Sequence, residues 1–324
     1  MKLAHNIQTM AKRNKTDSLK LKNTEFYKYW KYRHLTILIL PTLLYFAIFA
    51  YGPMYGLQIA FKDYKFMDGI LGSEWVGFEH FNYLFQLDSF WEVFRNTIVI
   101  SLYKFVFGFP APIIFALLLN ELRNVLFKRF VQTVSYFPHF VSWVILAGIF
   151  TQFFSPSIGP INILLKGLGM EPIYFLADTH WFRTVLVSTD VWKDLGWGTI
   201  IYLAALAGIN PELYESARVD GANRFQRVMN ITLPSMYPVI TIMAVLSIGK
   251  LIMDDFDQVF NLYNPAVYSV GDVASTYIYR QGLVDLQYSF ATAVGLFKNA
   301  ISLAMVLIAN TIARKLSGNE NSLW

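Results

Sequence analysis

The sequence predicts an all-α integral membrane protein with six transmembrane helices. Hydrophobic residues make up 55% of its 324 positions and charged residues only 15%, against roughly 25% charged in a soluble domain. Six apolar segments approach the length that crosses about 30 Å of hydrocarbon. Mean hydropathy is +0.40. So much apolar surface exceeds what one soluble core can bury. In lipid the backbone must satisfy its own hydrogen bonds, which selects helices. A barrel would instead alternate in segments of about ten residues. There is no Cys, which excludes disulfides, Cys–zinc sites and a thiol nucleophile.

The predicted spans are residues 35–51, 97–119, 131–154, 182–207, 237–253 and 290–313. Pro110 and Pro112 should kink the second. The first is not a cleavable signal, because its basic lead is long and no small-residue cleavage site follows. The tail before His34 carries nine Lys and Arg residues, from Lys2 to Arg33. Arg123, Lys128 and Arg129 follow the second span, Arg218, Arg224 and Arg227 the fourth, and Arg314 and Lys315 the sixth. These regions share one side and hold 17 of the 27 basic residues. The positive-inside rule therefore makes both termini cytoplasmic. Residues 1–34 form a basic cytoplasmic tail, 35–313 the membrane domain and 314–324 a second tail. Trp75, Trp91, Trp181, Tyr51, Tyr55 and Tyr83 suit interfacial or outer positions. Residues 254–289 read as an outer connection.

A polar loop at 208–236 separates the fourth and fifth spans. Asn210, Pro211 and Glu212 suit the cap and first turn of a helix that would run to about Asp220. Gly221 permits a left-handed turn. A second short helix at 223–230 would set Phe225, Val228 and Met229 against Arg224 and Arg227, with Pro234 and Pro238 ending it. The expectation is a cytoplasmic helix-turn-helix.

Glu215-Ser216-Ala217, three residues, Gly221, nine residues, then Ile231-Thr232-Leu233-Pro234 resembles the signature loop of ABC-importer permeases. That pattern is Glu-Ala-Ala, three residues, Gly, nine residues, Ile, any residue, Leu-Pro. Ser216 replaces the first Ala, one small residue for another. The resemblance implies the MetI-like fold and a loop that seats in a groove of a separate ATPase. Glu215 would meet the groove rim, Ala217 would allow close approach, and Asp220 and Gly221 would form the turn. It implies two ATPase subunits, a second permease chain (a heterodimer), an extracytoplasmic solute-binding protein, and a bacterial cytoplasmic membrane. ATP and Mg would sit on the ATPase, with no cofactor in this chain. The phosphate-loop lookalike at Gly249-Lys250 fails, with Ala244 where the first Gly belongs and Leu251 where Ser or Thr belongs.

Tyr51-Gly52-Pro53-Met54-Tyr55-Gly56, Gly108-Phe109-Pro110-Ala111-Pro112, Ser135-Tyr136-Phe137-Pro138-His139-Phe140 and Asn261-Leu262-Tyr263-Asn264-Pro265 resemble the oligosaccharide and polysaccharide branch, the LplB-like permeases. That branch implies import of complex sugars, acidic alginate or uronate oligomers among them.

Charges inside spans usually face a cavity or a partner. Asp190, Lys193 and Asp194 lie at helical spacing in the fourth span, with Trp192 and Trp197 nearby. Lys250 precedes Asp254 by four in the fifth, and Lys104 and Lys298 lie in the second and sixth. Asp190–Lys193 and Lys250–Asp254 read either as structural ion pairs or as parts of a polar sugar pathway. Lys104 and Lys298 are the better candidates for meeting an acidic sugar. His139 reads as a packed, hydrogen-bonded residue, because no second His is spaced to complete a metal site. The chain is therefore expected to be a transport subunit rather than an enzyme, with no nucleic-acid partner. The alternative is a membrane enzyme acting on lipid-linked sugars, with the acidic residues at 254–257 as its acid–base candidates.

Overall fold

The computed structural model describes residues 32–249 and 255–317. Most of the predicted basic tail, Lys250, Asp254 and the predicted end of the fifth span lie outside them. Among the described residues the fold is helical apart from one antiparallel ribbon, Lys62–Asp63 paired with Glu74–Trp75. The chain forms two compact units that meet between Gln58 and Ile59.

The first unit is carried by α1 (Arg33–Phe46), continued by a π turn at Ala47–Tyr51 and a 3-10 stretch that begins at Gly52. Pro41 lies within α1 without ending it. Leu38, Ile48 and Phe49 are exposed on a helix that is apolar on every side. The helical run Arg33–Phe61 has 29 residues, longer than the predicted 35–51.

In the second unit, α2 (Asp88–Gly108) and α3 (Pro110–Asn120) make a 33-residue candidate span interrupted at Phe109. The break falls where predicted: Pro110 lacks an N–H and opens a new helix instead of continuing the old one. The third predicted span is not one straight helix. α4 (Val125–Tyr136) and the 3-10 turn Phe137–Phe140 meet α5 (Trp143–Phe153) at a bend of 105°. Val141 and Ser142 are extended there, and Pro138 and His139 interrupt the apolar run just before the bend.

α6 (Phe182–Ala207) has the predicted bounds. Its 26 residues span about 39 Å at 1.5 Å each. It packs along α2 and α3 and crosses α4 so closely that a Cβ on Gly196 would collide with the Ser135 backbone. α7 (Pro211–Val219) follows, then a short helix at Arg224–Arg227, a π turn at Val228–Thr232, and α8 (Leu233–Gly249). The predicted stop at Pro234 and Pro238 does not occur. The wider π turn passes the chain into α8, where Pro234 is the second residue and Pro238 lies inside. α11 (Tyr288–Ser317) closes the unit against α8, after α9 (Phe256–Leu262) and α10 (Ala274–Tyr279).

Among the described residues, four helices are long and apolar enough to cross a membrane, or five if the bent pair counts as one. α6 is long enough, but every 18-residue stretch of it contains Asp190, Lys193 and Asp194.

The connection at 254–289 is, in its described part, a packed insert. Val259, Leu262, Val267 and Val273 share one core with Trp143, Leu146 and Phe182. Arg183 Nη2 donates to Asn96 Oδ1 at 2.8 Å and its Nε donates to the Val270 carbonyl at 3.0 Å, tying α2, α6 and the insert together. Asp272 is buried and holds Arg280 in an ion pair.

Candidate functional site

A cavity of about 570 Å³ opens between α2, α3, α6, α8 and α9. Its polar lining includes Lys104, Asp190, Asp194, Tyr202 and Asp255, with Trp197 beside them. On α2 it is faced by Ser101, Lys104, Phe105 and Gly108, which recur at the three- and four-residue spacing of one helical face.

One expectation about the charges is corrected here. Asp190 does not pair with Lys193 on its own helix. Its Oδ1 accepts from Lys104 Nζ at 2.9 Å, with side-chain exposures of 21% and 16%. α2 packs beside α6, and the Lys104 stem reaches across. Lys104, expected to meet an acidic sugar, lines the cavity and is paired with Asp190 across the two helices. Lys193 Nζ donates to the His139 carbonyl at 3.0 Å and lies 5.5 Å from the Trp143 ring centroid.

Asp194 Oδ1 accepts from His139 Nδ1 at 2.8 Å. The partner is a carboxylate, so the proton sits on Nδ1. The imidazole stacks on Trp197 with centroids 4.6 Å apart and planes 1° from parallel. His139 is therefore the packed, hydrogen-bonded residue expected. Every charge in the middle of α6 has a partner from another element, which offsets the cost of carrying three of them in an apolar helix. Asp194 remains 57% exposed, so its second oxygen is open to a ligand.

Trp192 lies edge-on to Phe150 rather than among the lining residues. Lys298 lies on α11, also away from the lining. Lys250 lies outside the described residues. Asp255, not singled out for the pathway from sequence, lines the cavity and caps α9 by accepting from the Gln258 N–H at 3.4 Å.

The polar loop folds into two short helices around Gly221. The Asn210 side chain accepts from the Glu212 N–H at 3.1 Å, and Pro211 takes the first helical position. At the other end Ala222 N–H donates to the Ala217 carbonyl at 2.8 Å, and Gly221 has φ 81°. This is the Schellman arrangement, which needs a left-handed residue and so favours glycine. Asn223 and Gln226 form a reciprocal capping box at 2.9 and 2.8 Å. Tyr214 and Thr232 share a 3.0 Å hydrogen bond that fastens α7 to the π turn. Ser216 and Asp220 are exposed and Ala217 is half-buried, whereas Ile231, Leu233 and Pro234 lie where the chain enters α8.

Residues 108–318 match the family described as binding-protein-dependent transport system inner membrane component. The chain is 46% identical over 281 residues to protein LplB of Bacillus subtilis (strain 168), covering 87% of this chain and 88% of that one. It is 44% identical over 283 residues to the polygalacturonan/rhamnogalacturonan transport system permease protein YteP of the same organism, covering 87% and 88%. Among solved structures it resembles a chain of a bacterial ABC transporter involved in the import of the acidic polysaccharide alginate. The TM-score is 0.84 at 42% identity, covering 90% of this chain and 99% of that chain. It also resembles a chain of a bacterial alginate ABC transporter in complex with alginate pentasaccharide-bound periplasmic protein, with TM-score 0.83, 42% identity and coverage of 90% and 97%.

Proposed function

Because the chain belongs to the family of binding-protein-dependent inner membrane transport components, we propose that it is one of two permease subunits of an ATP-driven importer of oligosaccharides or polysaccharide fragments. It crosses the membrane six times, through Arg33–Phe61, Asp88–Asn120, the bent pair, α6, Arg224–Ile248 and α11, with both termini cytoplasmic. Two ATPase subunits bind ATP and Mg and drive the cycle. A solute-binding protein delivers the sugar from outside. Acidic oligomers are within its range, since relatives are named for polygalacturonan and alginate transport.

The observation that carries this reading is the polar loop. Its Glu215-to-Pro234 spacing is realised as a capped helix, a left-handed turn at Gly221 and a second capped helix. Leu213, Ser216, Ala217 and Asp220 share one face of α7, because they recur at three- and four-residue spacing. That face seats in the ATPase. In the cavity, Asp194 and Asp255 accept hydrogen bonds from sugar hydroxyls and Trp197 offers an apolar platform. Lys104 and Asp190 hold the helices around them.

The test is purification of the tagged chain with its ATPase, followed by Ala217→Arg and Gly221→Pro in separate importers. Both variants should assemble in the membrane but hydrolyse ATP without matching sugar uptake. Normal coupled uptake in both, or no ATPase recovered with the parent chain, overturns the assignment.

A further inference from the structure

A second cavity, about 360 Å³, lies between the 120–123 turn, α7 and the start of the Arg224–Ile248 span. Asn120, at its edge, ends the Asp88–Asn120 span. Val228 and Thr232, also in its lining, belong to the first turns of the other span. The cavity therefore sits at the adjoining ends of two candidate membrane helices.

Its charge is unbalanced. Arg123, Arg218, Arg224 and Arg227 line it against Glu121 and Glu215, so four positive and two negative groups leave a formal +2. Glu121 Oε2 stands 3.9 Å from Arg224 Nη1. Among the described residues, Arg123, Arg218 and Arg227 have no carboxylate within ion-pair distance. Like charges gathered in one concavity repel unless an anion joins them. Guanidinium forks match the oxygens of a phosphate better than any other common anion except a carboxylate. The three arginines also come from three segments: the turn after α3, α7, and the helix beyond Gly221.

We propose that this cavity binds a phosphate group, which clasps α7 to the inner ends of two spans. Two sources share that chemistry, the headgroup of an anionic phospholipid and free inorganic phosphate. Pro211, Tyr214, Glu215 and Arg218 form the cavity face of α7. Leu213, Ser216, Ala217 and Asp220 lie on the opposite face, so the anion and a protein partner occupy different sides of one helix. The proposal rests on where the spans end and holds whatever sugar is carried.

The test uses the whole importer, stripped of lipid in detergent, with fluorescent phosphatidylglycerol as probe, phosphatidylcholine as uncharged comparison and inorganic phosphate as competitor. Wild-type importer should retain phosphatidylglycerol over phosphatidylcholine. Each guanidinium removed should weaken retention about five-fold, so Arg123→Gln with Arg227→Gln should cost roughly thirty-fold. Arg123→Lys with Arg227→Lys should keep most of the binding, and Arg129→Gln, outside the cavity, should keep all of it. Retention that inorganic phosphate does not compete away identifies the lipid; displacement by phosphate, with direct phosphate binding lost in the Gln pair, identifies the free anion. Equal retention by wild type and the Gln pair, or binding of neither probe by wild type, overturns the site. Recovery of the ATPase in the same preparation is scored separately and bears only on the importer assignment.

Discussion

Replacing Lys104 by Met should destabilise the chain more than most single changes in its membrane helices. Its ammonium sits 2.9 Å from Asp190 Oδ1, with both side chains largely buried at 16% and 21% exposure. Met keeps most of the Lys104 stem volume but strands the Asp190 carboxylate. Removing one member of a buried pair costs roughly 3–5 kcal/mol, because the other charge is left without compensation. For a chain of this size each kcal/mol moves the melting temperature by roughly 2–4 °C. The purified importer should therefore melt roughly 6–20 °C lower. Lys104→Met with Asp190→Leu removes both charges and should restore most of the loss, since apolar replacement of a buried pair is often neutral or better. Thermal unfolding followed by size-exclusion fluorescence reads all three proteins. An unchanged melting temperature in the single variant, or a double variant as unstable as the single, refutes the reasoning. If the double variant regains stability but loses sugar uptake, the pair touches substrate and its assignment to scaffolding is wrong.

Gly196→Ala should lower the melting temperature by an amount equivalent to about 1–3 kcal/mol, because its Cβ meets the Ser135 backbone, which cannot move aside as a side chain would; wild-type stability would show that α4 and α6 do not approach so closely. Asp194→Asn, which weakens a charge-assisted hydrogen bond, and Trp197→Ala, which removes an apolar platform, should each raise the sugar concentration for half-maximal uptake about tenfold while leaving assembly intact; uptake at unchanged half-saturation removes both from the pathway. Burial, with Tyr268 and the Asp272 carboxylate nearby, pushes the Tyr263 phenol up to about 12 from 10.0. The folded chain then binds that proton more tightly than the unfolded one, so stability is retained below pH 10 and falls as pH rises toward 12. Tyr263→Phe should flatten this alkaline fall in melting temperature, and an unaltered slope would show that the phenol is not responsible.

Local physics made part of this molecule readable. The α6 bounds followed from composition, and the Asn210–Pro211 start and Gly221 stop of α7 followed from capping chemistry. Features set by distant residues were not readable. Pro138 marks a break in the predicted third span, as Pro110 does in the second, but its residue type does not set the 105° angle. The partner of Asp190 lies 86 positions away, while helical spacing pointed to Lys193. The packing of the 254–289 connection was not readable either, because its polar residues Asn261, Asn264 and Asp272 are of the types that punctuate loops. In the fold Asp272 and the Asn264 amide are spent on internal contacts, the latter donating to the Leu176 carbonyl at 2.8 Å. The cavity face of α2 did leave a trace, since Ser101, Lys104 and Gly108 interrupt an apolar helix at regular spacing.

The burial of the insert has a practical consequence for engineering. Gln258, Val267, Val273 and Thr276 are fully buried, so an epitope tag or protease site placed between them would split the main core. The bend at Leu283, Val284 and Leu286 is exposed but carries three large apolar side chains, unlike the small polar tips that accept inserted sequence. Chimeras that exchange residues 255–282 between relatives would have to carry the facing residues of α2, α5 and α6 with them, which makes the insert a poor module for transplanting specificity.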